Sequence, residues 1–211
     1  LLATGGRARS LDIEGIGLDG VYTLRTIEDA ERIRAGLTEG AKVLVIGAGW
    51  IGLEVAAAAR KRGASATVVE VADRVCARAL TADMSQWLHA LHERNGVDIR
   101  LETALSHFAG GHKLEKALLK DGTSIDCDLA IIGIGLIPNT ELATGAGLHV
   151  DNGVVVDETG QTSHPDIYSA GAVTNQATPL LGRRGRLDSG ENAPHQARNG
   201  AKYVRGSHKA Y

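Results

Sequence analysis

The chain has 211 residues, a formal net charge of −2 at pH 7 and aromatic residues at only 3% of its positions. The small net charge gives no strong attraction to nucleic acid or to an acidic membrane surface, and few aromatic side chains are present to stack on bases. No apolar run approaches the roughly 20 residues of a transmembrane helix. We therefore expect no nucleic-acid partner and no membrane partner.

Two cysteines, Cys76 and Cys127, lie far apart in the sequence, in neither a C-x-x-C pair nor a metal-ligand spacing. They are interpreted as small buried hydrophobic residues, and a reducing cytoplasmic location is expected. The sequence begins at Leu1 in the middle of an apolar pattern, so we expect an internal piece of a longer chain.

Two short strands are predicted first, at residues 1–9 and 20–26, and the first is expected to be buried and to end in a Gly-Gly turn. Thr26 is a suitable helix N-cap, and Asp29 can complete a capping box with it. A helix is therefore predicted from Thr26 toward Gly40. Its apolar residues are Ala30, Ile33 and Leu37.

A strand–helix–strand unit follows, with strands at 43–46 and 67–70 and a helix at 51–62. Thr81 can cap the next helix, and a third strand is predicted at 97–103. The apolar side of this helix is predicted to consist of Met84, Trp87, Leu88 and Leu91.

The second half begins with a predicted hairpin that turns at residues 121–122, followed by a buried strand at 129–132. The last quarter is rich in loops. Within it we predict a strand at 167–169 and a helix from near Glu191 toward Val204.

The glycines of the strand–helix turn follow the pattern G-x-G-x-x-G, at Gly47, Gly49 and Gly52. In this context the first glycine permits the tight turn, the second lets a pyrophosphate approach the backbone, and the third lets helix and strand pack closely. The N–H groups at the helix start would face the phosphates. A glycine turn that binds nothing is the alternative interpretation.

Glu70 ends the second strand, close to the spacing of about 20 residues expected for the acid that binds the adenosine ribose. A carboxylate accepts a hydrogen bond from a free 2′-hydroxyl and repels a 2′-phosphate, so NAD(H) is predicted rather than NADP(H). Arg74 lies just beyond the strand, where an arginine can help to bind a phosphate. Glu70 is expected to dominate.

Gly133 and Gly135 lie at the carboxyl end of the predicted strand 129–132, where ligands bind in open α/β sheets. Two glycines there would let a flat ring approach the backbone. An ordinary turn before Pro138 explains the same residues.

The chain resembles the two-dinucleotide-fold pyridine nucleotide–disulfide oxidoreductase superfamily, and within it the NADH-dependent ferredoxin, putidaredoxin and rubredoxin reductases. The resemblance covers nearly all of residues 1–205, in the family's order. The stretches that carry it are LLATGGRAR, LRTIEDA, GAGWIGLEVA, VVEVADRV, GVDIR, GIGLIPNTELA, HPDIYSAGAV and RLDSGENAPHQARNGA.

The resemblance implies an α/β fold: a Rossmann-like NAD-binding domain, whose parallel sheet has a β-hairpin crossover, and partial segments of an FAD-binding domain. Residues 1–25 would be exit strands of the FAD domain, 26–145 the NAD-binding domain and 146–211 the returning FAD segment. NADH would pass electrons through FAD to a ferredoxin or rubredoxin that serves an oxygenase. The chemistry belongs to the cofactors, so no catalytic side chain is expected, and the piece alone is expected to be inactive.

The same resemblance implies the binding residues. Gly47, Gly49, Trp50, Ile51 and Gly52 match the pyrophosphate turn. Glu70 matches the ribose ligand, Glu54 a residue near the nicotinamide, and Gly133, Ile134 and Gly135 the backbone beside that ring. Thr4, Gly5, Gly171 and Val173 match turns near FAD.

Two positions depart from the family pattern. Ala172 stands where the family has an aspartate that binds the ribityl chain, and Gly190 stands where an aromatic residue is usual. Alanine cannot accept the ribityl hydrogen bond. The alternative function is therefore a flavin-free NAD(H)-binding module without enzymatic activity.

Three further features of the sequence concern possible ligands and partners. His89 and His92 lie three residues apart on a predicted helix without an evident third ligand, so a solvated helix face is favoured over a metal site. His195 would lie near the flavin by the same resemblance, without a defined role. A basic cluster could steer an acidic partner or belong to a solvated loop. It consists of Arg183, Arg184 and Arg186.

Overall fold

The structure, a computed structural model, describes residues 1–178 and 182–204. Its strands are β1 (Gly6–Ala8), β2 (Val21–Thr23), β3 (Lys42–Ile46), β4 (Ser65–Val69), β5 (Val97–Arg100), β6 (Leu105–Ala109), β7 (Lys116–Leu119), β8 (Ser124–Asp126), β9 (Leu129–Ile132), β10 (Leu136–Pro138), β11 (Val154–Val156), β12 (Thr174–Thr178) and β13 (Arg183–Gly185). Its helices are α1 (Ile27–Gly36), α2 (Trp50–Lys61), α3 (Ala82–Arg94), α4 (Glu141–Gly145) and α5 (Asn192–Val204). Within these described residues no helix is both long and apolar enough to cross a membrane.

The chain divides into two compact units. Ala8–Gly135 forms the central unit, and Leu1–Arg7 with Leu136–Tyr211 forms the flanking unit. The sequence placed the boundaries at 25/26 and 145/146, and the assignment of these segments to cofactor domains stays a prediction. The end of the predicted 146–211 segment, residues 205–211, lies outside the described residues.

The central unit contains a five-stranded sheet in the order β2-β9-β3-β4-β5, with every neighbouring pair parallel. Alternate side chains of β3 enter different cores, as the period of two along a strand requires. Val43 and Val45 join the core formed with helices α1 and α2, while Leu44 and Ile46 join the core formed with β6–β8. This arrangement confirms the predicted α/β fold with a parallel sheet.

The connection from β5 to β9 is an antiparallel three-stranded sheet in the order β6-β7-β8. The predicted hairpin at residues 121–122 joins β7 to β8 and is confirmed, and β6 is an additional strand that the sequence did not indicate. Phe108 of β6 is only 2% exposed and packs with Leu114 and Leu119 against the sheet.

Helix α1 begins at the predicted N-cap. The Thr26 hydroxyl accepts a hydrogen bond from the Asp29 N–H at 3.3 Å, and the Asp29 carboxylate accepts one from the Thr26 N–H at 3.0 Å. The capping box is therefore confirmed. The helix ends at Gly36, short of Gly40.

The predicted apolar side of α3 is wrong in part. Met84 is 49% exposed and Trp87 is 55% exposed, whereas Ser85 is buried. The Ser85 hydroxyl donates a hydrogen bond of 2.7 Å to the Val75 carbonyl, so a small polar residue faces the protein at this position. Thr81 is the N-cap as predicted, although its side chain makes no capping hydrogen bond.

Two further strand predictions, at residues 1–9 and 167–169, are wrong in part. Gly5 takes a φ of +60° that turns the chain, so β1 begins only at Gly6, the second glycine of the pair, and Leu1 is 72% exposed. Residues 167–169 form only single bridges, such as Ser169 with Leu2. The described residues instead form a sheet in the order β11-β12-β13, and α5 begins within one residue of its predicted start at Glu191.

Both cysteines are free and buried, Cys76 at 7% exposure and Cys127 at 1%, as the sequence predicted. Burial raises the pKa of the Cys127 thiol to about 12, and burial together with the charge of Glu70 raises the pKa of the Cys76 thiol. A raised thiol pKa leaves little reactive thiolate at neutral pH.

We expect both thiols to react slowly with Ellman's reagent in the native chain and rapidly in denaturant. Rapid native labelling would contradict this burial.

Candidate functional site

The glycine-rich turn joins β3 to α2. Gly47 has a φ of +102°, a conformation that L side chains rarely adopt, and a Cβ on it would lie 2.6 Å from the Gly133 carbonyl oxygen. A Cβ on Gly52 would collide with the Gly47 carbonyl oxygen and approach Val45 Cγ1 to 3.1 Å. The first and third glycines are therefore required for the turn and for the packing of α2 on β3.

Gly49 is different, because its surroundings are open. The nearest atom to a Cβ on this residue would be the Gly133 carbonyl oxygen at 4.0 Å, and its φ of −79° suits any residue. The protein itself therefore does not require glycine here. The absence of a side chain leaves free space beside the backbone at the start of α2.

The N-terminus of α2 is left available to an anion. Its N-cap residue, Gly49, supplies no side-chain hydrogen bond, and its first turn contains no acidic residue. Helix α1 differs, because Thr26 and Asp29 form the hydrogen bonds of a capping box at its N-terminus and its first turn contains acidic residues. The N–H groups and the positive dipole end of α2 are thus suited to a phosphate.

Glu70 directly follows β4 and lies beside this turn. One oxygen of its half-buried carboxylate accepts a hydrogen bond of 2.7 Å from the Ala48 N–H, and the other accepts one of 2.9 Å from the Ala72 N–H. Sequence reasoning found Glu70 but missed Ala48 and Ala72. Both act through backbone groups, which leave no signal in the identity of a residue.

The glycines after β9 lie against the same turn. The Gly133 N–H donates to the Ile46 carbonyl at 2.8 Å, which continues the pairing of β9 with β3. Ile134 Cγ2 would lie 3.3 Å from a Cβ on Gly47, and Gly135 has a φ of +108° with no atom within 4 Å of its Cβ position. Predicted residues from two remote stretches are therefore brought together.

The other residues predicted for this site lie on α2 and in the loop after β4. Trp50 and Ile51, at the start of α2, are 52% and 47% exposed. Trp50 and Glu54 line a groove of about 730 Å³ between α2 and α3. The Arg74 guanidinium donates to Asp73 Oδ1 and to the Ala77 carbonyl, both at 3.1 Å, so it is engaged within its own loop.

The histidine pair on α3 is half-buried rather than solvated as expected. His89 Nε2 lies 3.3 Å from Glu93 Oε1. Burial, and to a smaller extent His89, lowers the pKa of His92. Across residues 1–178 and 182–204, no three His, Cys, Asp or Glu side chains are grouped as a metal ion requires.

A second group of predicted residues lies in the flanking unit. The Thr4 hydroxyl donates to the Asn139 carbonyl at 2.6 Å, the Asn139 side-chain amide donates to the Thr4 carbonyl at 3.0 Å, and the Asn139 N–H donates to the Gly5 carbonyl at 3.0 Å. The Thr4–Gly5 turn is thus fixed by one asparagine, which sequence reasoning did not single out.

The turn at Gly171, Ala172 and Val173 is held by α5. The Gly171 N–H donates to Gln196 Oε1 at 2.7 Å, the Thr174 hydroxyl donates to the same oxygen at 3.1 Å, and Gln196 Nε2 donates to Gln176 Oε1 at 2.6 Å. Gly171 has a φ of +85° and Val173 is fully buried. Gln196 was missed because its partners are remote in sequence.

Replacing Gln196 by leucine is expected to destabilise the chain by about 2–3 kcal/mol, because it leaves the buried Gly171 N–H without its acceptor and removes the partner of Gln176. Urea unfolding measures the change. The matched control is Gln86→Leu on the exposed side of α3, with an expected change within about 0.5 kcal/mol. Equal stabilities of the two variants would contradict the role of Gln196.

The basic cluster is only partly solvated. Arg184 donates to the carbonyls of Val156 and Asn175, and the side chain of Arg186 is only 13% exposed. Arg186 donates to the Ala172 carbonyl at 3.3 Å, which supports the turn described above. Arg183, Arg184 and His195 are exposed, although the Arg184 guanidinium is engaged by the two carbonyls. Arg184 and Arg186 are therefore structural residues of this unit.

The comparisons with known proteins agree with this geometry. The family described as pyridine nucleotide-disulphide oxidoreductase matches residues 1–200. Rhodocoxin reductase of Rhodococcus erythropolis is 42% identical over 214 residues, covering 100% of this chain and 50% of that protein. Putidaredoxin reductase of Pseudomonas putida is 44% identical over 204 residues, covering 94% of this chain and 48% of that protein.

Solved structures show the same likeness. The covalent putidaredoxin reductase–putidaredoxin complex matches with a TM-score of 0.93 and 42% identity, covering 98% of this chain and 51% of that one. The ferredoxin reductase for the CYP199A2 system from Rhodopseudomonas palustris matches with a TM-score of 0.94 and 38% identity, covering 100% of this chain and 52% of that one. The chain thus spans about half the length of these relatives. The resemblance found in the sequence motifs is confirmed, and the chain belongs to the pyridine nucleotide-disulphide oxidoreductase family.

Proposed function

We propose that the chain is the NAD(H)-binding part, with adjoining flavin-side segments, of a reductase that passes electrons from NADH through FAD to a ferredoxin or rubredoxin serving an oxygenase. The observation that carries the proposal is the open backbone at Gly49, at an uncapped helix start, with Glu70 beside the turn. The relatives named rhodocoxin reductase and putidaredoxin reductase support the class of acceptor.

The residues of the central unit fit a dinucleotide. Gly49 and the first N–H groups of α2 would bind the pyrophosphate, and Glu70 would accept hydrogen bonds from the adenosine ribose. We propose that Gly133 and Gly135 border the nicotinamide ring, because a ring can approach a backbone that carries no Cβ. Glu54, exposed on α2, is proposed to lie near the same ring.

The flavin-side turns fit FAD in backbone shape but not in side-chain chemistry. Gly5 and Gly171 have the positive φ values of tight turns, and Gln196 fixes the second turn. Ala172 supplies no side-chain acceptor for a ribityl hydroxyl. Bound FAD would supply hydride acceptance and one-electron transfer at this site. The chain's own residues contribute binding and orientation, and we propose no catalytic side chain.

The two buried free cysteines suit the cytoplasmic location that we propose.

The proposal is tested by binding measurements on the 211-residue chain. NADH binding, followed by nucleotide fluorescence, is expected in the native chain and is expected to weaken at least tenfold in Glu70→Ala. Arg74→Ala is expected to bind NADH within about twofold of the native chain, since Arg74 is engaged in its own loop. No NADH binding by the folded native chain would refute the proposal.

Flavin binding is tested separately. After incubation with excess FAD and desalting, the native chain is expected to retain little flavin absorbance, and Ala172→Asp is expected to retain several times more. The physical reason is that aspartate restores an acceptor for the ribityl hydroxyls. Tight NADH binding without flavin retention by either protein would favour a flavin-free NAD(H)-binding module.

A further inference from the structure

We infer that Glu70 is a positioning residue: its carboxylate holds the pyrophosphate turn in its binding shape before any nucleotide arrives. The inference rests on the proposed function, in which Glu70 is a ribose ligand, and gives it a second role. The geometric basis is that the Ala48 N–H, in the middle of the glycine-rich turn, donates to Glu70 at 2.7 Å.

The turn depends on this bond because little else can replace it. Ala48 is 0% exposed with the Glu70 side chain in place, so the carboxylate and not bulk water is the partner of its N–H. The neighbouring polar groups already have partners: the Gly47 N–H donates to the Val69 carbonyl at 2.8 Å, and the Ala48 carbonyl accepts from the Cys76 N–H at 2.9 Å. The segment after β4 therefore holds both backbone groups of Ala48, and Glu70 provides the charged contact.

The second oxygen fixes the carboxylate itself. It accepts from the Ala72 N–H at 2.9 Å, a backbone group that follows β4 and lies outside the glycine-rich turn, so the carboxylate is anchored independently of the turn that it holds. An ionised carboxylate has about four acceptor positions, two on each oxygen. One position per oxygen remains, which matches the two hydroxyls of a ribose.

A consequence concerns the choice of nucleotide. A carboxylate held at both oxygens cannot turn away from a 2′-phosphate without losing its bonds to Ala48 and Ala72. Repulsion of the phosphate is therefore coupled to the shape of the turn, and discrimination against NADP(H) does not depend on Glu70 alone.

The experiment separates the two roles with two nucleotides. ADP carries the ribose hydroxyls that Glu70 would bind, and 2′,3′-dideoxy-ADP lacks them but keeps the pyrophosphate. Affinities are measured by calorimetry for the native chain, Glu70→Gln and the control Glu31→Gln, an exposed acid of α1. Glutamine has the same shape, but its amide nitrogen cannot accept from one of the two backbone N–H groups.

We expect Glu70→Gln to weaken ADP binding by about 50-fold and dideoxy-ADP binding by about fivefold, whereas Glu31→Gln changes neither by more than about twofold. A loss confined to ADP would show that Glu70 is only a ribose ligand and would overturn the inference. If the folded native chain did not bind ADP, the proposed function would be overturned as well. This outcome is recognised from the native chain alone, whereas failure of the inference is recognised from the comparison with Glu70→Gln.

A second measurement does not require the variant to fold. In the nucleotide-free native chain, the Ala48 amide hydrogen is expected to exchange at least 100-fold more slowly than an unprotected amide, because it is already bonded and buried. Adding ADP is expected to slow it little further. Exchange at the unprotected rate, suppressed only by ADP, would show that the nucleotide forms the turn and would overturn the inference.

Discussion

Replacing Gly49 by alanine is expected to weaken NADH binding by about 100-fold, equivalent to about 2.7 kcal/mol, while leaving the chain folded. The new methyl group meets no protein atom closer than 4.0 Å, and the φ of −79° at this residue accommodates alanine. The methyl group instead occupies the space in which the proposed pyrophosphate would lie. The stability is expected to change by about 1 kcal/mol or less, since alanine is only a poorer N-cap than glycine.

Fluorescence titration with NADH and urea unfolding measure the two quantities on the same protein. The control is Gly17→Ala, because a Cβ on Gly17 also meets no atom within 4 Å but lies outside the glycine-rich turn. That variant is expected to bind NADH as the native chain does. If Gly49→Ala bound NADH normally, the pyrophosphate would not lie at this backbone.

Replacing Gly52 by alanine is expected to have the largest effect on stability, a loss of about 3 kcal/mol or more in the free energy of unfolding. Its Cβ would collide with the Gly47 carbonyl oxygen, a backbone atom that cannot swing aside, and would press on Val45 Cγ1 at 3.1 Å. Helix α2 must then move away from β3, which disturbs both the core and the turn.

Thermal and urea unfolding of Gly52→Ala, compared with Gly17→Ala, measure this effect. NADH binding is expected to be lost together with stability, whereas Gly49→Ala loses binding alone. This difference separates the glycine that packing requires from the glycine that the ligand requires. Native stability in Gly52→Ala would contradict the close approach of α2 to β3.

The sequence predicted those features that depend on neighbouring residues. The capping box at Thr26 and Asp29 is local, and the strand at residues 43–46 was predicted from its own run of apolar residues. The pattern G-x-G-x-x-G was recognisable because a side chain at Gly47 or Gly52 would collide with backbone atoms, so glycine is required at both positions.

Features that depend on remote partners could not be predicted in the same way. Trp87 and Met84 match a helical apolar face, yet both side chains are exposed. Ser85 is buried instead, and its hydroxyl donates a hydrogen bond to the Val75 carbonyl, a contact that the apolar pattern of the helix does not indicate. The bonds from Ala48 and Ala72 to Glu70 involve only backbone N–H groups. Gln196 acts on Gly171 across a long sequence separation, and nothing near either residue indicates the contact.

The strand order β2-β9-β3 also constrains how the central unit is completed during synthesis. Strands β2 and β3 are made early but are not neighbours, and the position between them is filled by β9, the last strand of the sheet to leave the ribosome. Pairings between segments so far apart in sequence close slowly, because a long loop must first be ordered. Gly133 follows β9 directly and supplies the backbone that faces Gly47. A nascent chain that stops before residue 129 therefore has its glycine-rich turn but lacks the strand that encloses it.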